Sequence, residues 1–438
     1  QELNEQGLEQ AIQKALAAFK VHRLTSFEDR AAKMQKAADI LENNKETYAK
    51  TMTAEMGKTF KSAISEVEKC ALVCRHYADH AQDYLAPRHI KTEHDWSYVE
   101  YLPIGPVLAV MPWNFPLWQG FRFAAPALMA GNVGLLKHAS NVPQCALLIQ
   151  DVFEEAGFDT GCFQTLLIGS KKVEAVIQDH RIRAVTLTGS EGAGRAVAAQ
   201  AGEHIKKSVL ELGGSDPFIV MPSANLEDAL DKGLTGRTMN NGQSCIAAKR
   251  FIIHADIYED FKQGFVQRFE NLKVGDPMED TTDIGPLAMK QGVDDLDDLV
   301  EKSVSAGATK ICGAHPIDGT GYYYQPGILE NIPPTAPAYE EELFGPVALL
   351  FKVQTLEEAI ELANKTRFGL GAAIFTNDEN EMKQAIRDLD AGSTFINHIV
   401  ASDPRLPFGG VKASGYGREL AAEGIREFTN IKTVVKAA

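Results

Sequence analysis

No apolar run in this chain approaches the length needed for a helix to span a bilayer, so no membrane partner is expected. Cysteine is scarce: six in 438 residues, scattered at Cys70, Cys74, Cys145, Cys162, Cys245 and Cys312. A disulfide-stapled scaffold needs more thiols, more regularly spaced. Cys70 and Cys74 lie one helical turn apart, which fits a helix face better than a bridge. No His or Cys group has zinc-like spacing, so no metal is expected. An excess of positive charge is also missing. Lys and Arg number 44 against 59 Asp and Glu, a net charge of −15, which argues against nucleic acid as the main partner. There is no internal repeat and no low-complexity linker. The first segment reads as an amphipathic helix (Leu8, Ile12, Leu16, Phe19) and not as a secretory signal, which makes the cytoplasm the expected compartment.

What remains is a globular chain too long for one core, so two or three domains are expected. Residues 5–85 read as helices, and Trp96 to Tyr101 alternates like an edge strand or hairpin. From Pro106 the pattern changes. Short apolar runs at 106–110, 133–137, 163–168 and 183–187 alternate with helical stretches, which is the signature of a parallel, doubly wound sheet. Such sheets bind ligands beyond the carboxyl ends of their strands, where Lys137, Gly169, Gly189 and Ser190 fall. The alternation restarts near Asp216, with strands near 218–220, 250–254, 348–353, 372–375 and 393–397. Thr429 to Lys436 again reads as a strand, and an open strand edge needs a partner.

Several constellations carry chemistry. Cys245, in Asn241-Gly242-Gln243-Ser244-Cys245, is a candidate nucleophile, and Glu211, before Gly213 and Gly214, is a candidate base. Thr188 to Gly194 is a glycine-rich strand-to-helix turn whose backbone N–H groups suit a phosphate, although its spacing is neither a dinucleotide fingerprint nor a P-loop. Lys137 and Ser140 could meet ribose hydroxyls or a phosphate. Asn114 sits on a turn made rigid by Pro112 and Pro116, either as an oxyanion donor or as a helix cap.

Five stretches, Pro112-Trp113-Asn114-Phe115-Pro116, Leu210-Glu211-Leu212-Gly213-Gly214, Gly242-Gln243-Ser244-Cys245, Glu342-Leu343-Phe344-Gly345-Pro346-Val347 and Pro407 to Glu419, occur in the order seen in the aldehyde dehydrogenase superfamily, which the chain resembles over nearly its whole length. The resemblance implies an α/β fold with two Rossmann-like domains and a small β element for oligomerisation. It places the cofactor-binding domain at 1–85 with 104–213, the catalytic domain at 214–415, and the oligomerisation strands at 86–103 and 426–438 of a homodimer or homotetramer. It makes Cys245 the thiolate nucleophile, Glu211 the base that activates the deacylating water, and Asn114, with the Cys245 N–H, the oxyanion hole. Trp113, Lys137, Ser140, Gly169, Gly189, Ser190, Leu212, Glu342 and Phe344 become the cofactor contacts. Where NAD-preferring relatives often carry Glu, this chain has Ser140, which leaves room for a 2′-phosphate and favours NADP, with NAD possible.

Arg122, eight residues after Asn114, resembles the arginine with which succinate-semialdehyde dehydrogenases hold the distal carboxylate, and Ser402 matches a second polar contact in that branch. Phe115 and Trp118 would line the same entry tunnel. Several relatives carry a second arginine where this chain has Met239, which leaves one strong cationic anchor. The expected reaction is oxidation of succinate semialdehyde, a short ω-carboxy aldehyde; the alternative is a general aliphatic aldehyde dehydrogenase in which Arg122 is a structural ion pair.

Overall fold

The structure, a computed structural model, describes residues 2–437. Four helices open the chain: α1 (Glu5–His22), α2 (Phe27–Asn43), α3 (Lys45–Met56) and α4 (Phe60–Tyr84). The Asn4 and Ser26 side chains accept from the Gly7 and Asp29 amides, which satisfies free donors at the starts of α1 and α2. In α4, Ala63, Val67, Cys70, Ala71, Cys74, Tyr77 and Ala81 form one buried stripe at helical spacing. Cys70 and Cys74 are therefore packing residues, and all six cysteines are free thiols.

Strands β1 (Arg88–His89) and β2 (Trp96–Pro103) precede the first large sheet. That sheet is built from β3 (Pro106–Met111), β4 (Val133–His138), β5 (Phe163–Thr165), β6 (Ala184–Thr188) and β7 (Lys207–Glu211), with α5 (Pro116–Met129), α6 (Pro143–Ala156), α7 (Val173–Gln178) and α8 (Glu191–Glu203) between them. The spatial order is β7-β6-β3-β4-β5, all parallel, with the short strand Gly415–Tyr416 added antiparallel to β7. The order reverses between β3 and β6, so a crevice opens where Asn114 and Gly189 leave the sheet.

The second sheet has seven strands in the order Thr309–Cys312, Gly327–Glu330, Val347–Val353, Ala248–His254, Asp216–Val220, Gly371–Phe375 and Ser393–Ile396. Only the first of these is antiparallel to its neighbour. Its strands are mostly buried on both faces, as parallel strands covered by helices must be. The chain passes from the carboxyl end of β7 through Leu212 to Ser215 straight into Asp216–Val220. That short passage sets the end of one sheet against the start of the other.

Helices at Leu226–Thr238, Tyr258–Glu270, Leu356–Asn364 and Glu379–Asp388 coincide with helical stretches of the sequence pattern. β7, the helix Lys290–Ser305 and the strands Thr309–Cys312 and Gly327–Glu330 are not marked by that pattern. Thr429–Lys436 is a strand, paired antiparallel with β2 along its full length in a three-stranded sheet with β1. Trp96, Ile431 and Val435 stay exposed on it. Among the described residues no helix is long and apolar enough to cross a membrane, and no group of His, Cys, Asp and Glu could hold a metal ion.

Candidate active site

Cys245 lies in a loop held in a costly backbone shape. Asn240, Asn241 and Gly242 all have φ between 57° and 75°. Left-handed geometry at a non-glycine residue costs about 1–3 kcal/mol and persists only when the surroundings over-determine it. Here they do. The Asn240 amide donates to the Asn114 carbonyl at 2.7 Å, and the Asn241 amide donates to the Gly57 and Pro286 carbonyls, both at 3.0 Å. The Arg237 guanidinium donates to the Gly242 carbonyl at 2.7 Å. A Cβ at Gly242 would meet the Gly345 carbonyl carbon at 2.4 Å, so the tightest point of the loop requires glycine. After the thiol, Lys249 Nζ donates to the Ser244 and Cys245 carbonyls at 2.9 and 2.8 Å and pairs with Glu342 at 2.9 Å. The backbone N–H of Cys245 makes no hydrogen bond among the described residues. Burial pushes the Cys245 thiol up to about 12, with Lys249 pulling the other way.

Two cavities meet at this thiol. The first, about 290 Å³, is lined by Pro112, Trp113 and Asn114 after β3, Thr188 to Ser190 at the end of β6, and Leu212, Gly213, Cys245, Glu342 and Phe344. Ser190, which lines this crevice, caps α8 by accepting from the Ala193 amide, so the helix starts at the crevice's edge. The glycines of the 189–194 and 213–214 turns have separate reasons. A Cβ at Gly194 would meet Leu212 Cδ2 at 2.6 Å, one at Gly213 would meet Glu342 Oε2 at 2.5 Å, and one at Gly214 would meet the Cys245 carbonyl oxygen at 2.7 Å. Trp113 packs edge-on to Phe344 with ring centroids 5.8 Å apart. Asn114 does not cap α5; its amide donates to the Gln243 carbonyl at 3.1 Å, so its side chain is aimed at the nucleophile loop. A separate cavity of about 310 Å³, beyond the ends of β4 and β5, holds Ser140, Gly169 and Glu2. Glu2, which the sequence pattern does not single out, accepts from the Gly169 amide and from Lys172. Lys137 lines neither of these cavities; it is half-buried on β4, and burial lowers its pKa.

The second cavity at Cys245, about 210 Å³, is lined by Phe115, Trp118, Gln119 and Arg122 from α5, Lys69 from α4, Met239 and Ser402, among others. It therefore gathers the four residues expected at the substrate side. Arg122, however, is not a free anchor. Its Nε faces the Glu419 carboxylate, Nη2 donates to Thr188 Oγ1 at 3.1 Å, and the guanidinium stacks over the Phe408 ring. The reason is burial. Arg122 is only 2% exposed, and a charge so enclosed needs a counter-charge in the fold. Two residues on α4 are absent from the sequence reading. Lys69 reaches Ser402, and Glu66 accepts from the Leu117 and Trp118 amides, both at 2.9 Å, and from Lys58. Glu66 thereby fixes the start of α5 and the rings that line the cavity. The available signal was a glutamate lying within the apolar stripe of α4.

Glu211, at the end of β7, is buried and lines neither cavity at Cys245. Its carboxyl lies against Gly409, where a Cβ would sit 2.6 Å from Oε1. Burial, and then the neighbouring Glu419 carboxylate, hold its pKa well above the usual carboxylate range. Glu419 is raised by burial as well, but Arg122 opposes that. Glu341 is exposed and paired with Arg367, apart from the site.

A thiol between two cavities, with an amide and glycine turns on one side, can add to a carbonyl carbon presented from the other. Known proteins share the design. The sequence pattern of the aldehyde dehydrogenase family matches residues 1–434. A probable NADP+-dependent succinate-semialdehyde dehydrogenase of Synechocystis is 55% identical over 420 residues, 96% of this chain and 92% of that protein. An enzyme of Mycobacterium tuberculosis, succinate-semialdehyde dehydrogenase [NADP(+)] 1, is 55% identical over 97% of this chain and 93% of its own length. The crystal structure of succinic semialdehyde dehydrogenase from Streptococcus pyogenes in complex with NADP+ superposes with a TM-score of 0.98 at 37% identity, covering 100% of this chain and 96% of that one. On the strength of the match along its whole length, this chain belongs to the aldehyde dehydrogenase family.

Proposed function

We propose that this protein oxidises succinate semialdehyde to succinate with NADP+ as the acceptor. The observation that carries the reading is the position of Cys245, which lines both the cavity at the sheet's switch point and the cavity that holds Lys69, Arg122 and Ser402. The names of the relatives from Synechocystis and Mycobacterium tuberculosis support the same substrate and cofactor. The residues present fit a dinucleotide. Ser190 and the start of α8 suit the pyrophosphate, Glu342 and Phe344 the nicotinamide end, and exposed Ser140 leaves space for a 2′-phosphate.

In this reading Cys245 Sγ, once its proton has left to solvent, adds to the aldehyde carbon. The carbonyl oxygen becomes an alkoxide that accepts from the Asn114 amide and the Cys245 N–H. The chemistry supplied by the bound cofactor is acceptance of the hydride from that carbon. A thioester is left on Cys245. Glu211, once it has turned away from Gly409 and the Glu419 carboxylate towards the thiol and given up its own proton to solvent, takes a proton from water, the hydroxide attacks the thioester carbon, and the C–S bond breaks to return the thiolate. The sum is aldehyde, NADP+ and water giving carboxylate, NADPH and two protons. The first sheet with the opening helices serves the cofactor, and the second supplies the nucleophile. The exposed apolar residues of the three-stranded sheet support a homo-oligomer, and the free cysteines a cytoplasmic setting. The test is a steady-state comparison of succinate semialdehyde with butanal, each with NADP+ and NAD+. Equal kcat/KM for the two aldehydes would replace the reading with a general aldehyde dehydrogenase.

A further inference from the structure

The substrate cavity holds two cations, and they are not equivalent. Arg122 already has a carboxylate, Glu419, and a hydroxyl, Thr188. Lys69 has no carboxylate within ion-pair distance among the described residues. Its Nζ makes one hydrogen bond, to Ser402 Oγ at 2.7 Å, and lies 4.5 Å from the Trp118 ring centroid. Lys69, Ser402 and Trp118 all line the cavity that Cys245 opens into. Glu66 is the acidic residue of that lining, and it is engaged by Lys58 and two backbone amides. Where Met239 stands there is no second arginine, and Arg237 is turned to the Gly242 carbonyl instead.

An ammonium in such a place is held at a cost. Burial, and then Arg122 on α5, lower the Lys69 pKa to about 8, against the opposing pull of Cys70 and Glu66 on α4 and of Asp403 beside Ser402. An anion placed against Nζ relieves the cost, and a charged hydrogen bond is about twice as strong as a neutral one. The geometry offers two donors to one carboxylate. Ser402 Oγ accepts from Lys69, so its own O–H remains free to donate.

We propose that Lys69, together with Ser402, receives the distal carboxylate of the substrate, and that Arg122 chiefly supports the wall of the cavity through Glu419. The proposal rests on the ω-carboxy aldehyde reading above. It adds a specificity-determining residue from α4, a helix that carries none of the motifs.

The experiment measures the ratio of kcat/KM for succinate semialdehyde to that for butanal in the wild type and in Lys69→Met, Lys69→Gln and Lys69→Arg. NADP+ binding, followed by fluorescence, verifies that each variant is folded. Met and Gln are expected to lower the ratio by about 30-fold or more, mainly through KM for the carboxylated substrate. Arg, which keeps the charge, should hold it within about fivefold. The wild-type ratio should fall about tenfold per pH unit above pH 8, as Lys69 loses its proton; ionisation of Cys245 acts on both aldehydes and cancels in the ratio. Lys69→Arg should remove that fall. Gln is close in size to the native side chain and keeps a donor towards Ser402, so it decides the matter if Met disturbs packing. A wild type that prefers succinate semialdehyde, with Lys69→Gln keeping that preference within about threefold, overturns the role of Lys69 alone. A wild type without the preference overturns the ω-carboxy reading and this proposal with it.

Discussion

The two cavities that meet at Cys245 are made by different means. The cofactor side is made largely of turns that follow β3, β6 and β7, with glycines placed where a side chain would collide. The substrate side is made of side chains from the first turns of α4, the inner face of α5 and the loop around Ser402. A backbone cradle constrains sequence tightly over short stretches, because neighbouring residues must cooperate in one turn. A side-chain cavity needs only single residues, each on an element whose other positions serve packing. One half of the site is therefore written in motifs, and the other is scattered.

Removing the point of contact should break both halves at once. Cys245→Ala is expected to lower turnover of every aldehyde by on the order of 10⁴-fold or more while NADP+ still binds. Residual turnover above about a hundredth of wild type, measured as NADPH formation, would remove the thiol from the reaction. Glu211→Gln should cut the steady state by about a hundredfold or more and leave a burst of reduced cofactor, since only release of the thioester needs the base. Stopped-flow absorbance checks this, and equal slowing of burst and steady state would count against it.

The third change sharpens the contrast between the cations. Arg122→Ala leaves the buried Glu419 without a partner, which costs about 3–5 kcal/mol of stability. Thermal unfolding should register that loss, and both aldehydes should suffer to a similar degree. A selective loss on succinate semialdehyde, with stability intact, would restore Arg122 as the anchor. The smallest effect is expected far from the chemistry. Ser140→Glu should shift the NADP-to-NAD preference by about 1–3 kcal/mol through repulsion of the 2′-phosphate. An unchanged kcat/KM ratio for the two cofactors would remove Ser140 from the ribose.

Legibility from sequence follows the same division. The strand-to-helix turns at Asn114 and Gly189 could be read because apolar runs and their flanking Pro and Gly mark strand ends. The terminal strand could be read because it runs for eight residues rich in β-branched Thr, Ile and Val. β7 and the segment 290–330 could not. β7 starts with Lys207 and Ser208 at the sheet's margin, and the strands Thr309–Cys312 and Gly327–Glu330 are four residues each, too short for a period. Lys69 was invisible because a half-buried lysine on a helix resembles any surface lysine until Ser402 is folded against it. The state of Arg122 was invisible for the same reason, since Glu419 lies near the far end of the chain.

The clamps on the nucleophile loop have a consequence for how activity appears and disappears. Asn241 is tied to Gly57 between α3 and α4 and to Pro286 in the second half of the chain, and Asn240 is tied to the turn after β3. A fragment that contains all of these groups must run at least from Gly57 to Pro286, more than half of the chain. The reactive geometry of Cys245 is thus a property of long-range tertiary contacts, and a chain in which they are unmade carries an ordinary cysteine there. The enzyme switches on only when these distant segments have docked, and the thiol that makes it catalytic is also a built-in gauge of whether they are assembled.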